Sequence, residues 1–177
     1  MKIVSQSDSL FNLDSEELAL IQTRYMGRNQ LGFATMLKFF QLEGYYPSNR
    51  DVIPTDLITS LASQLDLQPG ELEKFNWKEA TAKRFRKKIR SFLGYKKSTL
   101  SDSEALKTWL GETVLSQAPT LPQCYEKAYQ FFREHKLEPP SPKKLNRYIN
   151  SALHNFERKV FLKIVSQLAV KSKDSID

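Results

Sequence analysis

The stretch Ala82-Lys83-Arg84-Phe85-Arg86-Lys87-Lys88-Ile89-Arg90-Ser91-Phe92-Leu93-Gly94 decides how this chain folds. Successive residues of an α-helix turn by about 100°. On that wheel Ala82, Phe85, Ile89, Phe92 and Leu93 share one arc, while all six charges from Lys83 to Arg90 fall outside it. One face can therefore pack and the other is a cationic ridge. Gly94 supplies the stop, because glycine tolerates the left-handed conformation that closes helices.

The same periodicity runs outward in both directions. Upstream, Asp14 with Glu17 three residues later forms a capping box for a helix over about 15–25, with Leu18, Ile21 and Tyr25 on one face. A second helix spans about 28–43 with a broad stripe of Leu31, Ala34, Leu37, Phe39 and Phe40, ended by Gly44. Pro54 and Pro69 suit the first turns of helices at about 54–66 and 69–75, where no amide donor is needed. Downstream, Ser101 and Glu104 predict another capping box, opening a helix to about 117 that carries Leu106, Trp109, Leu110 and Val114. Leu121-Pro122 begins a helix to about 136. The connector Leu137-Glu138-Pro139-Pro140-Ser141-Pro142 then leads, with Ser141 as cap, into a long last helix. Leu145, Ile149, Ala152, Phe156, Val160, Ile164 and Leu168 carry its stripe to about 169, with the spacing of a seam against a partner; Lys171 to Asp177 reads as a solvated, frayed tail. No segment shows a convincing strand pattern or an internal repeat. The expectation is an all-α, multi-helix bundle in two small halves, 10–97 and 98–170, divided near 94–101.

With 177 residues the chain can bury a sizeable core, and 40% hydrophobic with 27% charged residues excludes wholesale disorder. No apolar run reaches membrane-spanning length, the first residues show no secretory signal pattern, and the single Cys124 cannot form an internal disulfide. A reducing cytoplasm is the expected location. The formal charge of +7 is unevenly placed. Residues 78–97 hold nine bases (Lys78, Lys83, Arg84, Arg86, Lys87, Lys88, Arg90, Lys96, Lys97) against Glu79, a local +8, so the remaining 157 residues net −1. Such a concentration makes a local field that a polyanion feels; nucleic acid is the leading partner, with an acidic membrane surface behind it.

Enzyme chemistry finds little to work with. The six glycines match neither phosphate-cradling nor dinucleotide fingerprints, and Cys124, His135 and His154 are too few for a zinc site or a nucleophilic pair. Asp14, Glu16, Glu17, Asp102 and Glu104 sit at helix starts, where the dipole already accounts for them. No catalytic residue, metal or cofactor is expected.

The plainer reading of the basic helix is a solvated face. Against it, six like charges in eight residues repel one another, and Arg84, Arg86 and Arg90 offer planar forks suited to phosphates or guanine edges. Tyr95, Lys96 and Lys97 prolong the track past the helix end. A weaker patch of Lys143, Lys144 and Arg147, followed by Arg158, Lys159 and Lys163, lies on the last helix. The aromatics Phe39, Phe40, Tyr45, Tyr46, Phe75, Trp77, Trp109, Phe131 and Phe132 are at core-packing spacing rather than forming stacking platforms for single strands. A different class of function stays open, a protein-interaction module pairing through the last helix and a basic face.

The run Asn29-Gln30-Leu31-Gly32-Phe33-Ala34, with Val52-Ile53-Pro54, Gln64-Leu65, Phe75-Asn76-Trp77 and Lys83 to Arg90 ending in Leu93-Gly94-Tyr95, resembles the N-terminal region of the Tn-three family of replicative transposases. Trp109-Leu110 and the Leu137 to Ser141 connector before Leu145 and Arg147 extend the likeness over about 10–169. The resemblance implies a helical region that recognises the terminal inverted repeats of a transposon, with strand cleavage assigned to a metal-binding domain much further along. It further implies double-stranded DNA as partner, Arg84, Arg86 and Arg90 as contacts, the remainder of a transposase or a second copy as protein partner, and a bacterial, nucleoid-associated setting. The chain then resembles an excised or truncated non-catalytic part of such a protein.

Overall fold

The structure, a computed structural model, describes residues 10–174, with side chains through Leu168. The fold is all-α. Its two compact units divide between Lys96 and Lys97.

In the first unit, α1 (Ser15–Arg24) opens on the expected capping box: the Glu17 amide donates to Asp14 at 2.8 Å and the Asp14 amide donates to Glu17 at 2.9 Å. Helix α2 (Gly27–Glu43) differs from its expected stripe. Every residue from Leu31 to Phe40 is buried, because α1, α3 (Thr55–Gln64), a 3-10 turn at Pro69–Lys74 and α4 (Ala80–Leu93) all pack around it. A helix enclosed on all sides has no solvent face. Gly32 is the place where α2 lets Phe75 in: a Cβ there would lie 2.6 Å from that ring. Burial on every side also takes in Lys38, whose ammonium pairs with the buried Glu17 carboxylate at 2.6 Å, while Gln41 donates to the same carboxylate at 2.7 Å. Pro54 stands at the N-cap of α3, one place before the predicted first turn, and Pro69 opens a 3-10 turn rather than an α-helix.

The second unit packs α5 (Leu100–Trp109), α6 (Leu121–Glu134) and α7 (Pro142–Asp174) around Leu106, Leu110, Phe132, Leu145 and Ile149. The predicted capping box at Ser101 and Glu104 is replaced by Thr99 and Asp102: the Thr99 amide donates to Asp102 at 2.7 Å, and Glu104 instead pairs with Lys107 at 2.7 Å. After Trp109 the chain continues as a π-helical turn, Leu110–Val114, and a 3-10 turn, Leu115–Gln117. Thr120 and Gln123 form a further capping box ahead of Pro122. Two-residue strands, β1 (Lys96–Lys97) and β2 (Leu137–Glu138), pair in the two-stranded sheet, a short piece of extended structure that the sequence pattern did not signal.

Helix α7 runs past its expected end near 169 to Asp174, since nothing from Ala169 to Lys173 is a glycine or proline stop. The expected fraying of Lys171 to Asp177 concerns residues whose side chains, and from 175 onward whose backbone, lie outside the described residues. Leu145, Ile149 and Ala152 are buried, whereas Val160, Phe161, Ile164, Val165 and Leu168 are exposed. The seam expected along α7 is therefore occupied only over its first half.

Candidate nucleic-acid interface

Helix α4 is built as its wheel requires. Ala82, Phe85 and Ile89 are buried, and Phe92 and Leu93 are half-buried at the edge of the same core. Phe85 anchors the helix, with its ring 5.2 Å from Phe33, 5.7 Å from Phe75 and 4.8 Å from Tyr25. Gly94 closes the helix at φ +71°. The charged residues then sort by their distance from the apolar arc. Lys83, Arg84 and Lys87, furthest from it, are exposed; Arg86 and Lys88, at its margins, and Arg90 are half-buried.

The ridge is not neutralised from within. Among the described residues no carboxylate lies within ion-pair distance of Lys83, Arg84, Arg86, Lys87 or Lys88, and Glu79, the single acid of the segment, accepts instead from Asn76 at 2.9 Å. Arg84 donates to the Thr81 hydroxyl at 3.2 Å. Burial raises the Tyr25 hydroxyl pKa above its ordinary value, against the opposing pull of Arg24 and of Arg84 from the ridge. Arg86 is the most constrained cation: its guanidinium carbon stands 5.5 Å from the Tyr46 ring centroid and its Nε is buried without a hydrogen-bond partner. Uncompensated cations on a rigid helix are what a phosphate backbone neutralises, and guanidinium forks add paired hydrogen-bond geometry.

The other candidate residues are dispersed. Lys78 is exposed in the turn before α4, and Lys96 and Lys97 are exposed just after it. Tyr95 is half-buried, its ring edge-on to Phe40 at 4.9 Å. In the second unit Lys143, Lys144 and Arg147 are exposed on the opening turns of α7. There Lys97 and Lys144 line one cleft with Ser98, Thr99, Ser141 and Tyr148, which joins a residue of the basic segment to the patch on the last helix. Tyr46 escaped the sequence reading as a functional residue. Only a contact across forty positions, from the loop after α2 to α4, gives it a part, and no local pattern signals that contact.

Cys124 is buried, which raises its thiol pKa, and His135 stacks on Phe131 at 4.2 Å with Nδ1 2.8 Å from the Phe131 carbonyl oxygen. Among the described residues no three His, Cys, Asp or Glu side chains are grouped to hold a metal ion, and no described helix is long and apolar enough to cross a membrane.

Three relatives share this sequence. The transposase for transposon Tn1546 of Enterococcus faecium is 24% identical over 167 residues, 94% of this chain and 17% of the relative. The transposase for transposon Tn501 of Pseudomonas aeruginosa is 24% identical over 175 residues, 98% of this chain and 18% of the relative. The transposase for transposon Tn2501 of Escherichia coli is 32% identical over 69 residues, 39% of this chain and 7% of the relative. The chain thus spans less than a fifth of the length of the relatives it matches. It is a transposase-related region in which the whole of α4 and its ridge falls inside a single matching family model, residues 4–152. The chain belongs to the family described as domain of unknown function (DUF4158).

Proposed function

We propose that this chain is a sequence-specific double-stranded DNA-binding module that recognises the terminal inverted repeats of a transposon, as a non-catalytic part of a transposase or a truncated one. The observation that carries this reading is the ridge of α4, whose exposed cations have no internal counter-charge. Fourteen helical residues extend about 21 Å, and an α-helix fits the major groove, which is about 12 Å wide. In this reading the lysines mainly neutralise phosphates and the arginines reach base edges. The first unit supplies the ridge, and Lys143, Lys144 and Arg147 of the second supply further phosphate contacts. Transposases act on DNA, so relatives of that kind support the partner class. The reaction itself, the remainder of a transposase as partner, and a cytoplasmic, nucleoid-associated setting belong to the same proposal.

Protection mapping on duplexes carrying candidate transposon ends tests it. A footprint confined to the terminal repeat, weakened by Arg84/Arg86/Arg90→Ala, is the expected result. Equal protection by both proteins removes α4 from the mechanism.

A second reading, a helical protein-interaction module, is favoured by the apolar side chains of α7 that remain exposed beyond Phe156. In that reading the apolar face of a partner helix covers Val160, Phe161, Ile164 and Val165. It predicts a stable complex by light scattering without nucleic acid, and a protein that stays monomeric and alone at all concentrations contradicts it.

A further inference from the structure

Tyr46 meets Arg86 twice. Its hydroxyl donates to the Arg86 backbone carbonyl at 3.2 Å, and its ring lies beneath the guanidinium, 5.5 Å from centroid to carbon. Phe40, buried in α2, holds that ring from behind, stacked at 4.5 Å and 22°. Arg86 sits here because it borders the apolar arc of α4, where its stem is drawn along the core surface. Its Nε is sealed from solvent and unpaired, an arrangement that an arginine serving only solubility relieves by swinging into water. Stacking on a tyrosine face offsets part of that cost and keeps the guanidinium oriented. Lys83, Arg84 and Lys87 point from the exposed centre of the ridge with no comparable restraint.

An oriented fork loses less side-chain freedom when it forms two parallel hydrogen bonds, and paired bonds to one base edge are what separate guanine from other bases. A mobile lysine offers the same charge to every phosphate. Resting on the DNA-binding reading above, we infer that Arg86 is the residue of α4 that discriminates base sequence, and that Tyr46 is the positioning residue that aims it.

The test selects short duplexes from a random-sequence pool with the whole chain, then measures binding of the enriched duplex and of a scrambled one across salt concentrations. Arg86→Lys keeps the charge and removes the fork. It is expected to lower the ratio of the two affinities about tenfold with the salt slope unchanged. Tyr46→Leu acts in the same direction, Tyr46→Phe retains most of the ratio because it keeps the ring, and Lys87→Ala lowers the salt slope by about one without changing the ratio. Thermal unfolding of each variant separates misfolding from misaiming; should Tyr46→Leu fail to fold, Arg86→Lys decides. Wild-type discrimination in Arg86→Lys overturns the inference. So does a wild-type protein that binds both duplexes equally, a result that leaves DNA binding itself intact. Absence of any duplex binding by the wild type defeats the DNA-binding reading instead.

Discussion

Gly32 shows how one missing side chain shapes the first unit. A Cβ at this position would stand 2.6 to 2.9 Å from three ring carbons of Phe75, and that ring cannot retreat because Trp77 and Phe85 flank it at 4.9 and 5.7 Å. Gly32→Val should lower unfolding stability by about 3 kcal/mol, read as a shifted denaturant midpoint at constant slope. Lys38 is a second point of leverage. Replaced by Met, it leaves the Glu17 carboxylate buried without its cation, and removing one partner of a buried pair costs about 3–5 kcal/mol, measurable by the same unfolding curves. Half of this arrangement was legible beforehand. Glu17 announces itself as a capping residue through its spacing from Asp14, a local signal. Its pairing with Lys38 depends on α2 being enclosed on all sides, which no window of sequence around either residue encodes.

At the scale of the element, caps behave as local chemistry dictates, although the competing windows had to be settled by packing. Ser101 with Glu104 and Thr99 with Asp102 both satisfy the capping pattern; the hydrogen bonds begin at the earlier pair, so Glu104 is released to Lys107. The Thr99 hydroxyl and amide donate to Asp102 and hold its carboxyl below its ordinary value of 3.8. A carboxyl lowered in the folded state contributes stability that is fully present above the unfolded value and is lost as pH falls through the folded one. Asp102→Asn should therefore flatten the acid limb of the stability curve below about pH 4, followed by circular dichroism at fixed denaturant, with little change in the slope near neutrality. Helix α4 was the most readable element, because Phe85, Ile89 and the cations between them fix its wheel without reference to anything distant. Helix α2 was the least, since a fully enclosed helix and a broad apolar stripe look alike until the neighbours are placed.

For the whole molecule, the central fact is where the charge is concentrated. The excess of +8 over residues 78–97 falls mainly on one helix whose other face is locked into the core, and that placement was visible in the sequence before any coordinates. What the sequence could not order was the ridge itself: which cations are restrained and which remain solvated follows from Tyr46, Phe40 and the loop that delivers them. The second unit adds Lys97 and Lys144 to one cleft, a meeting that requires the start of α7 to lie beside the chain leading into α5. Its own signature is the apolar half of α7 that nothing in the described unit covers. A chain cut after residue 156 should keep the melting temperature of the second unit within a few degrees, since Leu145, Ile149 and Ala152 already supply the buried part of the stripe.

The salt dependence of duplex binding tests the account most directly. If the ridge engages about four phosphates, log affinity falls against log salt with a slope of about −3.6. Lys83/Arg84/Lys87→Ala, which removes exposed cations and leaves the buried face of α4 untouched, should reduce that slope to about −1. An unchanged slope in the triple variant would contradict the assignment of α4 as the DNA-binding surface.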